Sequence, residues 1–494
     1  MQSTSSVPDG TLGQVVARNT LYLTVSQALT VPLAILMNAM LARYLGPAEF
    51  GFLYLASTLS GFGFLAINWG HDGALPASIA RDRTASGALL GSSFAWRMVL
   101  LFVVYVVFAV ICYLLSYGST FQWALGLTFG IGAFTTLIAA CKDTIRGFER
   151  TDIPAITHVG QQVLTVALVV PILILGGGLR GALAVQIPVG VVVFFLIWRT
   201  LRPVGVGKLT VQRDALKALF TLGTPFVWFG LAMALQPNID AVFLSKLAPA
   251  EVMGWFAVSR RLVGVLLFPA TALIGALYPT LCRLFAEDTS EYSRVARGAF
   301  QGVTLLAVPV ALGCGLYPEL GVTIFNRGSF GAAENNLRIL AVFLFLVYFS
   351  MPLGTTIMAA GKHRAWSIVQ GLCILVSLVL DPLLVPWFQA RYGNGGLGLC
   401  VAAVASEAVV VGCGVALSPR GIFDLALMRA LALAAVSGVV MAVVAHFTRA
   451  ITPWVAAPLS VVAYGVALVL TGGVDPAQRA AAKNFIVRKF SRSS

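Results

Sequence analysis

Two stretches of the chain repeat one another, LARYLGPAEFGFLYLAS at residues 41–57 and LSKLAPAEVMGWFAVSRR at residues 244–261. In both, a proline is followed by an alanine and a glutamate, and the prolines Pro47 and Pro249 are 202 residues apart. Further matches downstream keep nearly the same spacing. Self-similarity at one long offset indicates a chain built from two related halves. This duplication determines the fold, and the rest of the sequence is interpreted around it.

The composition shows what kind of protein carries the duplication. The chain has 494 residues, of which 59% are hydrophobic and only 11% are charged, and its mean hydropathy is +0.90. A soluble domain typically has about 25% charged residues, so an ordinary soluble enzyme is excluded. The polar start MQSTSSVPDGT does not resemble a secretory signal, and the seven scattered cysteines predict no disulfide framework. The sequence therefore predicts a polytopic membrane protein.

Apolar stretches long enough to cross a bilayer, about 20 residues each, divide the chain into fourteen predicted spans. They cover residues 15–42, 48–70, 88–115, 120–140, 153–176, 180–200, 219–246, 252–282, 295–317, 337–360, 365–388, 396–417, 428–448 and 453–472. The predicted organisation is a polar N-terminal tail (1–14), an N-lobe (15–200), a cytoplasmic basic linker (201–218), a C-lobe (219–417), two additional helices (428–472) and a basic tail (473–494). The predicted fold class is thus an all-α membrane protein with two six-helix lobes, related by a pseudo-two-fold axis along the membrane normal.

The net charge of +14 would ordinarily suggest an acidic partner such as nucleic acid. Cytoplasmic loops retain lysine and arginine, and this explains the charge better. With the N-terminus inside, 23 of the 33 cations fall on the cytoplasmic side, 7 on the other side and 3 within the membrane. This asymmetry predicts that both termini face the cytoplasm. It also removes most of the argument for nucleic-acid binding.

Charged side chains at membrane depth are expensive, so each is a candidate functional residue. The candidates are Arg97, Arg260, Arg261, Asp240, Asp381 and Glu407. Spans seven and eight are joined by a short loop, which predicts that Asp240 pairs with Arg260 or Arg261. The second arginine could then hold an anion, because its planar fork suits two phosphate oxygens. The alternative is an ion pair that only fixes helix packing.

Two further groups of polar residues are less specific. The carboxylates Asp240, Asp381 and Glu407 could bind a coupling proton or sodium ion, since a buried carboxyl group can change its protonation in use. Amide side chains occur where the lobes would face each other, at Asn19, Gln27, Asn38, Gln236 and Asn238. They either line a cavity or form hydrogen bonds between helices.

Catalytic motifs do not occur in this sequence. It contains no P-loop, no HExxH spacing among its four histidines and no GxSxG, and its loops are too short for a sizeable aqueous domain. We therefore expect a protein that is not an enzyme and has no catalytic residues, metal site or cofactor, apart from a coupling ion.

Four segments resemble a known family. They are YLGPAEFGFLYLAS, LQPNIDAVFLSKLAPAEVMGWFAVSRRL, PTLCRLFAED and LVPWFQARYGNGGLGLCVAAVASE, and the resemblance runs over about residues 15–415. In order and spacing they resemble the polysaccharide-biosynthesis flippases of the multidrug/oligosaccharidyl-lipid/polysaccharide (MOP) exporter superfamily. The resemblance implies a transporter in the bacterial inner membrane. It would move an undecaprenyl-diphosphate-linked oligosaccharide outward by alternating access, for O-antigen, capsule or exopolysaccharide assembly.

The resemblance also implies roles for particular residues and partners. Arg97, Arg260 and Arg261 would bind the diphosphate, with Asp240 as their internal partner. Asp381 stands where the family often has a polar amide, which leaves open whether it is structural or part of ion coupling. The implied partners are the lipid-linked oligosaccharide, membrane lipids and a polymerase or chain-length protein of the same pathway.

Three other functions remain open from the sequence. A cation-coupled multidrug exporter of the same superfamily would be expected to have acidic, aromatic cavity walls, whereas this chain carries intramembrane arginines. A lipid II flippase is a nearer alternative, although its loop motifs are not evident. A membrane-embedded polymerase or ligase would usually carry a large outer loop, which this sequence lacks.

Overall fold

The computed structural model describes residues 9–448 and 450–473, with side chains at all of these except residues 9–21, 23, 24, 225, 226, 228–238 and 276. The described residues form α-helices joined by short turns, and they contain no β-strand. They fall into two compact units, one ending at Ser245 and the other beginning at Lys246. The all-helical fold predicted from the sequence is therefore confirmed.

Eight helices begin in the first unit. They are α1 (Asp9–Asn68), α2 (His71–Arg81), α3 (Ser86–Leu114), α4 (Ser119–Gly147), α5 (Asp152–Ile174), α6 (Gly178–Ala184), α7 (Gln186–Val204) and α8 (Arg213–Leu247). Leu90 and Ile138, from α3 and α4, pack with Val193 of α7 in a buried apolar cluster. Outward-facing positions are also apolar, as at Phe102 and Tyr113, which are 69% and 77% exposed. Exposed apolar faces of this kind are expected of helices surrounded by lipid.

Ten helices form the second unit. They are α9 (Ala250–Leu266), α10 (Phe268–Glu287), α11 (Thr289–Leu316), α12 (Pro318–Ile324), α13 (Arg327–Phe330), α14 (Ala333–Ala359), α15 (His363–Tyr392), α16 (Gly396–Leu417), α17 (Leu425–Phe447) and α18 (Pro453–Leu470). Leu281, Tyr292, Phe300, Leu353 and Leu427 bring α10, α11, α14 and α17 together in one core cluster.

Twelve helical segments among the described residues are long and apolar enough to cross a membrane. The first of them, Val25–Arg81, has 57 residues, far more than the about 20 that one crossing needs. Gly46 interrupts helical geometry inside α1, with φ 71° and ψ 176°. Glycine adopts this positive φ without strain, and the residue before a proline avoids the helical region. The kink coincides with the break predicted between spans one and two, while the fourteen spans and their orientation remain predictions.

Several predicted boundaries differ from the observed helices. The predicted spans 180–200 and 252–282 are each broken, at Val185 and at Leu267. In both cases a proline, Pro188 or Pro269, lies in the first turn of the next helix, where its missing N–H costs no hydrogen bond. At the start of the chain, α1 already begins at Asp9, inside the predicted polar tail. Most of the predicted basic tail, residues 474–494, lies outside the described part of the chain.

Part of the predicted basic linker, residues 201–218, packs against α3. Only residues 205–212 lie between α7 and α8. Ser92 of α3 holds this segment, because its hydroxyl donates to the Gln212 carbonyl at 3.2 Å and accepts from the Gln212 N–H at 3.0 Å. A Cβ added at Gly91 would lie 2.5 Å from the Thr210 carbonyl oxygen, so only glycine allows this close approach.

Helix α8 belongs to the first compact unit, although the sequence assigned it to the C-lobe. Phe220 stacks on Trp69 with ring centroids 4.7 Å apart, and Gly223 lies directly against the Trp69 carbonyl. Farther along α8, Ser245 forms a hydrogen bond of 2.7 Å with Tyr117. These contacts tie both ends of α8 to the first unit. The lobe boundaries predicted from the repeat remain predictions.

Candidate functional sites within the two units

Arg97 is a deeply buried charged side chain of the first unit, with 1% of its surface exposed. It lies in α3, and its partners come from α1 and α4. Its guanidinium donates to the Thr136 carbonyl at 2.6 Å and to Asn68 Oδ1 at 2.8 Å. A third contact, at 3.5 Å, reaches Asp143 Oδ2. The side chain is therefore enclosed by its own unit, and its predicted role as a diphosphate ligand stays a prediction.

Asp143 is a partner of Arg97 that sequence reasoning missed. Its side chain is 5% exposed, and its other oxygen lies 3.3 Å from Arg146, one turn farther along α4. The predicted span 120–140 ended before Asp143, whereas α4 continues to Gly147 and turns Asp143 inward. The D-x-x-R spacing in an unbroken helix is the signal that could have indicated this pair. One carboxylate thus faces two guanidinium groups.

His71 lies close to Arg97 and is also buried, with 1% of its surface exposed. Its Nδ1 forms a 2.9 Å hydrogen bond with the Ser93 hydroxyl. Trp96 packs beside it at 6.3 Å between ring centroids. The sequence suggested no role for this histidine, and the structure gives it a packing and hydrogen-bonding one.

Arg260 is the centre of a charged site in the second unit. It is half-buried in α9, and its guanidinium carbon lies 5.9 Å from the ring centroid of Phe256 and 5.4 Å from that of Phe343. Aromatic faces at these distances stabilise a cation without neutralising it. Glu407 of α16 accepts a hydrogen bond from the Ser350 hydroxyl and lies within electrostatic reach of Arg260. Three helices, α9, α14 and α16, therefore assemble an arginine–glutamate site inside one unit.

The remaining predicted charged residues are placed as follows. Arg261 is half-buried beside Arg260, Asp240 is 3% exposed and Asp381 is 1% exposed. The predicted pairing of Asp240 with an arginine of α9 stays a prediction.

The predicted polar residues differ in their surroundings. Gln27 is exposed, whereas Asn38 is half-buried and donates to the Ala34 carbonyl of its own helix at 2.7 Å. The side chains of Asn19, Gln236 and Asn238 lie outside the described part of the structure. Within the described residues, no cluster of three or more histidine, cysteine, aspartate or glutamate side chains could hold a metal ion.

Comparison with known proteins supports this fold and identifies a family. A family profile described as "Polysaccharide biosynthesis protein" matches residues 16–285. No curated protein matches the sequence significantly.

Three solved structures resemble the chain. Lipid II flippase MurJ, in its inward closed conformation, has a TM-score of 0.72 at 12% identity, covering 91% of this chain and 98% of that chain. An inward-facing multidrug resistance MATE family transporter of the MOP superfamily has a TM-score of 0.60 at 16% identity, covering 84% and 98%. A MOP superfamily transporter from Pyrococcus furiosus is described as having a binding pocket of reverse polarity. It has a TM-score of 0.56 at 18% identity, covering 80% of this chain and 93% of that chain. At these identities the likeness establishes a MOP-type transporter fold.

Proposed function

Because the chain belongs to the polysaccharide biosynthesis protein family, we propose that it is a flippase for an undecaprenyl-diphosphate-linked oligosaccharide. It would move this lipid from the cytoplasmic to the outer leaflet of a bacterial inner membrane, supplying O-antigen, capsule or exopolysaccharide synthesis. A polymerase or chain-length protein would then use the exposed product. The observation that carries the proposal is the half-buried, aromatic-flanked Arg260, which lies within the apolar segment Ala250–Glu287 of a transporter fold.

The topology that goes with this proposal has fourteen spans and both termini in the cytoplasm. It counts α1 as two crossings, separated at Gly46, and it adds α8 to the apolar segments. The uneven distribution of the cations, 23 against 7, supports the orientation.

Arg260 and Arg261 are the proposed ligands of the diphosphate. Arg260 is partly accessible, lies near two aromatic rings and interacts electrostatically with one carboxylate. A guanidinium group can hold two oxygens of one phosphate at the same time. Carrying an unshielded, doubly charged headgroup through hydrocarbon would cost well over 10 kcal/mol by the burial cost of charges. A cationic, hydrated path removes most of that barrier.

Arg97 fits a positioning role better than direct contact with the substrate. Its guanidinium is surrounded by Thr136, Asn68 and Asp143, so it holds α3 and α4 and the end of α1 in register. In alternating access, each unit moves as a rigid body, and a buried ion pair of this kind resists deformation within the unit.

Ion coupling is proposed for the buried carboxylates Asp240, Asp381 and Glu407, with a proton or sodium ion as the coupled species. Glu407 has the clearest support, because it links Ser350 to the charge of Arg260. A change in its protonation would alter how strongly Arg260 attracts an anion.

The test is flipping by purified protein in proteoliposomes that contain a defined polyprenyl-diphosphate oligosaccharide. Headgroup exposure is measured with an impermeant enzyme or lectin, with and without a proton or sodium gradient. We expect the Arg260→Gln variant to lose about a hundredfold in rate and Arg260→Lys about tenfold, because lysine cannot form the bidentate contact. The matched control is Arg294→Gln, which removes an exposed arginine paired with Glu291.

The outcomes separate the candidate functions. Headgroup exposure no faster than in protein-free vesicles, with substrate and either gradient present, would refute the flippase proposal. A preference for lipid II over other lipid-linked sugars would indicate that this chain carries the same substrate as the similar structure, the lipid II flippase MurJ. Gradient-driven export of a cationic dye without headgroup exposure would support a multidrug exporter instead.

A further inference from the structure

Four polar side chains converge where α4 ends and α5 begins, apart from the arginines assigned to the substrate. Lys142 and Arg146 are four residues apart on α4, and His158 and Gln161 are three apart on α5, so each pair shares one helix face. The Lys142 ammonium donates to Gln161 Oε1 at 3.4 Å. Both Lys142 and Arg146 act electrostatically on His158. We call these four residues the α4–α5 basic cluster.

The cluster has more positive charge than its surroundings neutralise. Asp143 is the carboxylate that acts on Lys142, but its two oxygens already face Arg97 and Arg146. Within the described residues Lys142 forms no ion pair, and its hydrogen-bond partner is a neutral amide. Lys142 is also half-buried. Because holding an ammonium away from water without a counter-ion is unfavourable, the arrangement is suited to an anion that comes from outside the chain.

Two neighbouring arginines have the surroundings expected of basic residues that only orient the protein in the membrane. Arg150 is 49% exposed and bonds to Asp152 at 2.6 Å, and Arg83 is 55% exposed and lies 3.5 Å from Glu149. Each of these two has its own acidic partner and free access to water. Lys142 is half-buried and forms no ion pair among the described residues, which distinguishes it from these two arginines.

We propose that the α4–α5 basic cluster is a second anion site, which binds the diphosphate group of an isoprenoid lipid within the first unit. An ammonium, a guanidinium, an imidazole and an amide provide N–H donors on two facing helices, and tetrahedral oxyanions accept such bonds from several directions. That the diphosphate belongs to a carried lipid rests on the proposed function. The cluster itself rests on the geometry of α4 and α5 and is independent of Arg260.

Binding of farnesyl diphosphate and inorganic diphosphate to the purified full chain, measured by calorimetry in phosphatidylcholine nanodiscs, tests the site. We expect Lys142→Gln and Arg146→Gln each to raise the Kd about tenfold, the size expected when a charge-assisted hydrogen bond is lost. Lys142→Arg should keep the Kd within about threefold, because the positive charge remains. Arg150→Gln is the matched control, since it removes an equal charge from the same end of the unit. Because Arg150 belongs to an exposed ion pair, the Kd of this variant should stay within twofold of the value for the unsubstituted protein.

Two results would overturn the proposal. Unchanged affinity for both diphosphates in Lys142→Gln and Arg146→Gln would remove the site, even if headgroup flipping is normal. Loss of farnesyl diphosphate binding in phosphatidylglycerol nanodiscs would assign the cluster to ordinary phospholipid headgroups instead. Arg146 has a side chain that is 45% exposed, so its variant remains informative if Lys142→Gln does not fold. Conversely, absent flipping with intact, variant-sensitive binding would refute the proposed function while leaving the site in place.

Discussion

Replacing Asp143 with asparagine removes the negative charge that faces Arg97 inside the first unit. The Arg97 guanidinium is 1% exposed, so it cannot turn to water when the carboxylate is lost. Its two neutral acceptors, Thr136 and Asn68, remain in place at 2.6 and 2.8 Å. The variant therefore isolates the charge of Asp143 with little change in side-chain volume.

The size of the effect follows from the separation of the charges. At 3.5 Å and an effective dielectric constant of about 20, Coulomb's law gives roughly 5 kcal/mol for the Arg97–Asp143 attraction. Breaking buried ion pairs by removing one partner typically costs about 3–5 kcal/mol. Because two neutral hydrogen bonds persist, we expect Asp143→Asn to lower the free energy of unfolding by about 3 kcal/mol.

Reversible unfolding in mixed detergent micelles, followed by circular dichroism, measures this change. The matched control is Arg146→Gln, which removes the half-exposed partner of the same carboxylate and should cost less than about 1 kcal/mol. A double-mutant cycle of Arg97→Met with Asp143→Leu should give a coupling energy of about 2–3 kcal/mol. Equal losses for Asp143→Asn and Arg146→Gln, or a coupling energy near zero, would show that the pair does not stabilise the unit.

Three further predictions concern other regions. Gly223→Ala should destabilise the protein by about 2 kcal/mol, because the new Cβ would lie 2.1 Å from the Trp69 carbonyl oxygen. Gly264→Ala is the control: the space around Gly264 is open, so this variant should be neutral or stabilising in the same unfolding assay. Hydrogen bonds from the Ser290 hydroxyl and from backbone N–H groups lower the pKa of Asp288, the N-cap of α11. The stability that Asp288 contributes to the folded protein should therefore be complete above about pH 4 and disappear as the pH falls below that. A stability difference from Asp288→Ala that is independent of pH between 2 and 7 would contradict this. Glu407→Gln should lower gradient-driven flipping at least about tenfold and strengthen diphosphate binding, because it removes the carboxylate that partly offsets the charge of Arg260. Full gradient-driven activity would exclude Glu407 from coupling.

The sequence predicted the membrane fold well because its signals are local. A bilayer requires about 20 consecutive apolar residues for each crossing, and that requirement can be recognised without knowing the neighbours of a helix. The break near Gly46 and the family were both found in this way, whereas the duplication and the role of Arg260 stay predictions. The sequence did not show that the apolar segments Gly178–Val204 and Ala250–Glu287 each divide into two helices, at Val185 and Leu267, just before a proline.

The partners of the charged residues could not be found in the same way. The direction of Asp143 depends on where α4 ends and on which face of that helix packs against α3. The sequence indicated only a basic linker around Gln212, and it did not show that contacts with Ser92 and Gly91 hold this segment on α3. These outcomes depend on groups far apart in the chain.

The sequence by itself therefore determined that this is an all-helical membrane protein with a few charged residues inside its long apolar segments. Those features follow from the cost of placing polar groups in hydrocarbon, which acts on each segment separately. Only the tertiary structure decided that Arg97 is enclosed by Asp143, that Arg260 lies among aromatic rings near Glu407, and that Lys142 lacks an acidic partner among the described residues. Ion pairs and aromatic contacts require atoms within a few ångströms, and the rotation and register of packed helices, which set those distances, depend on the whole unit.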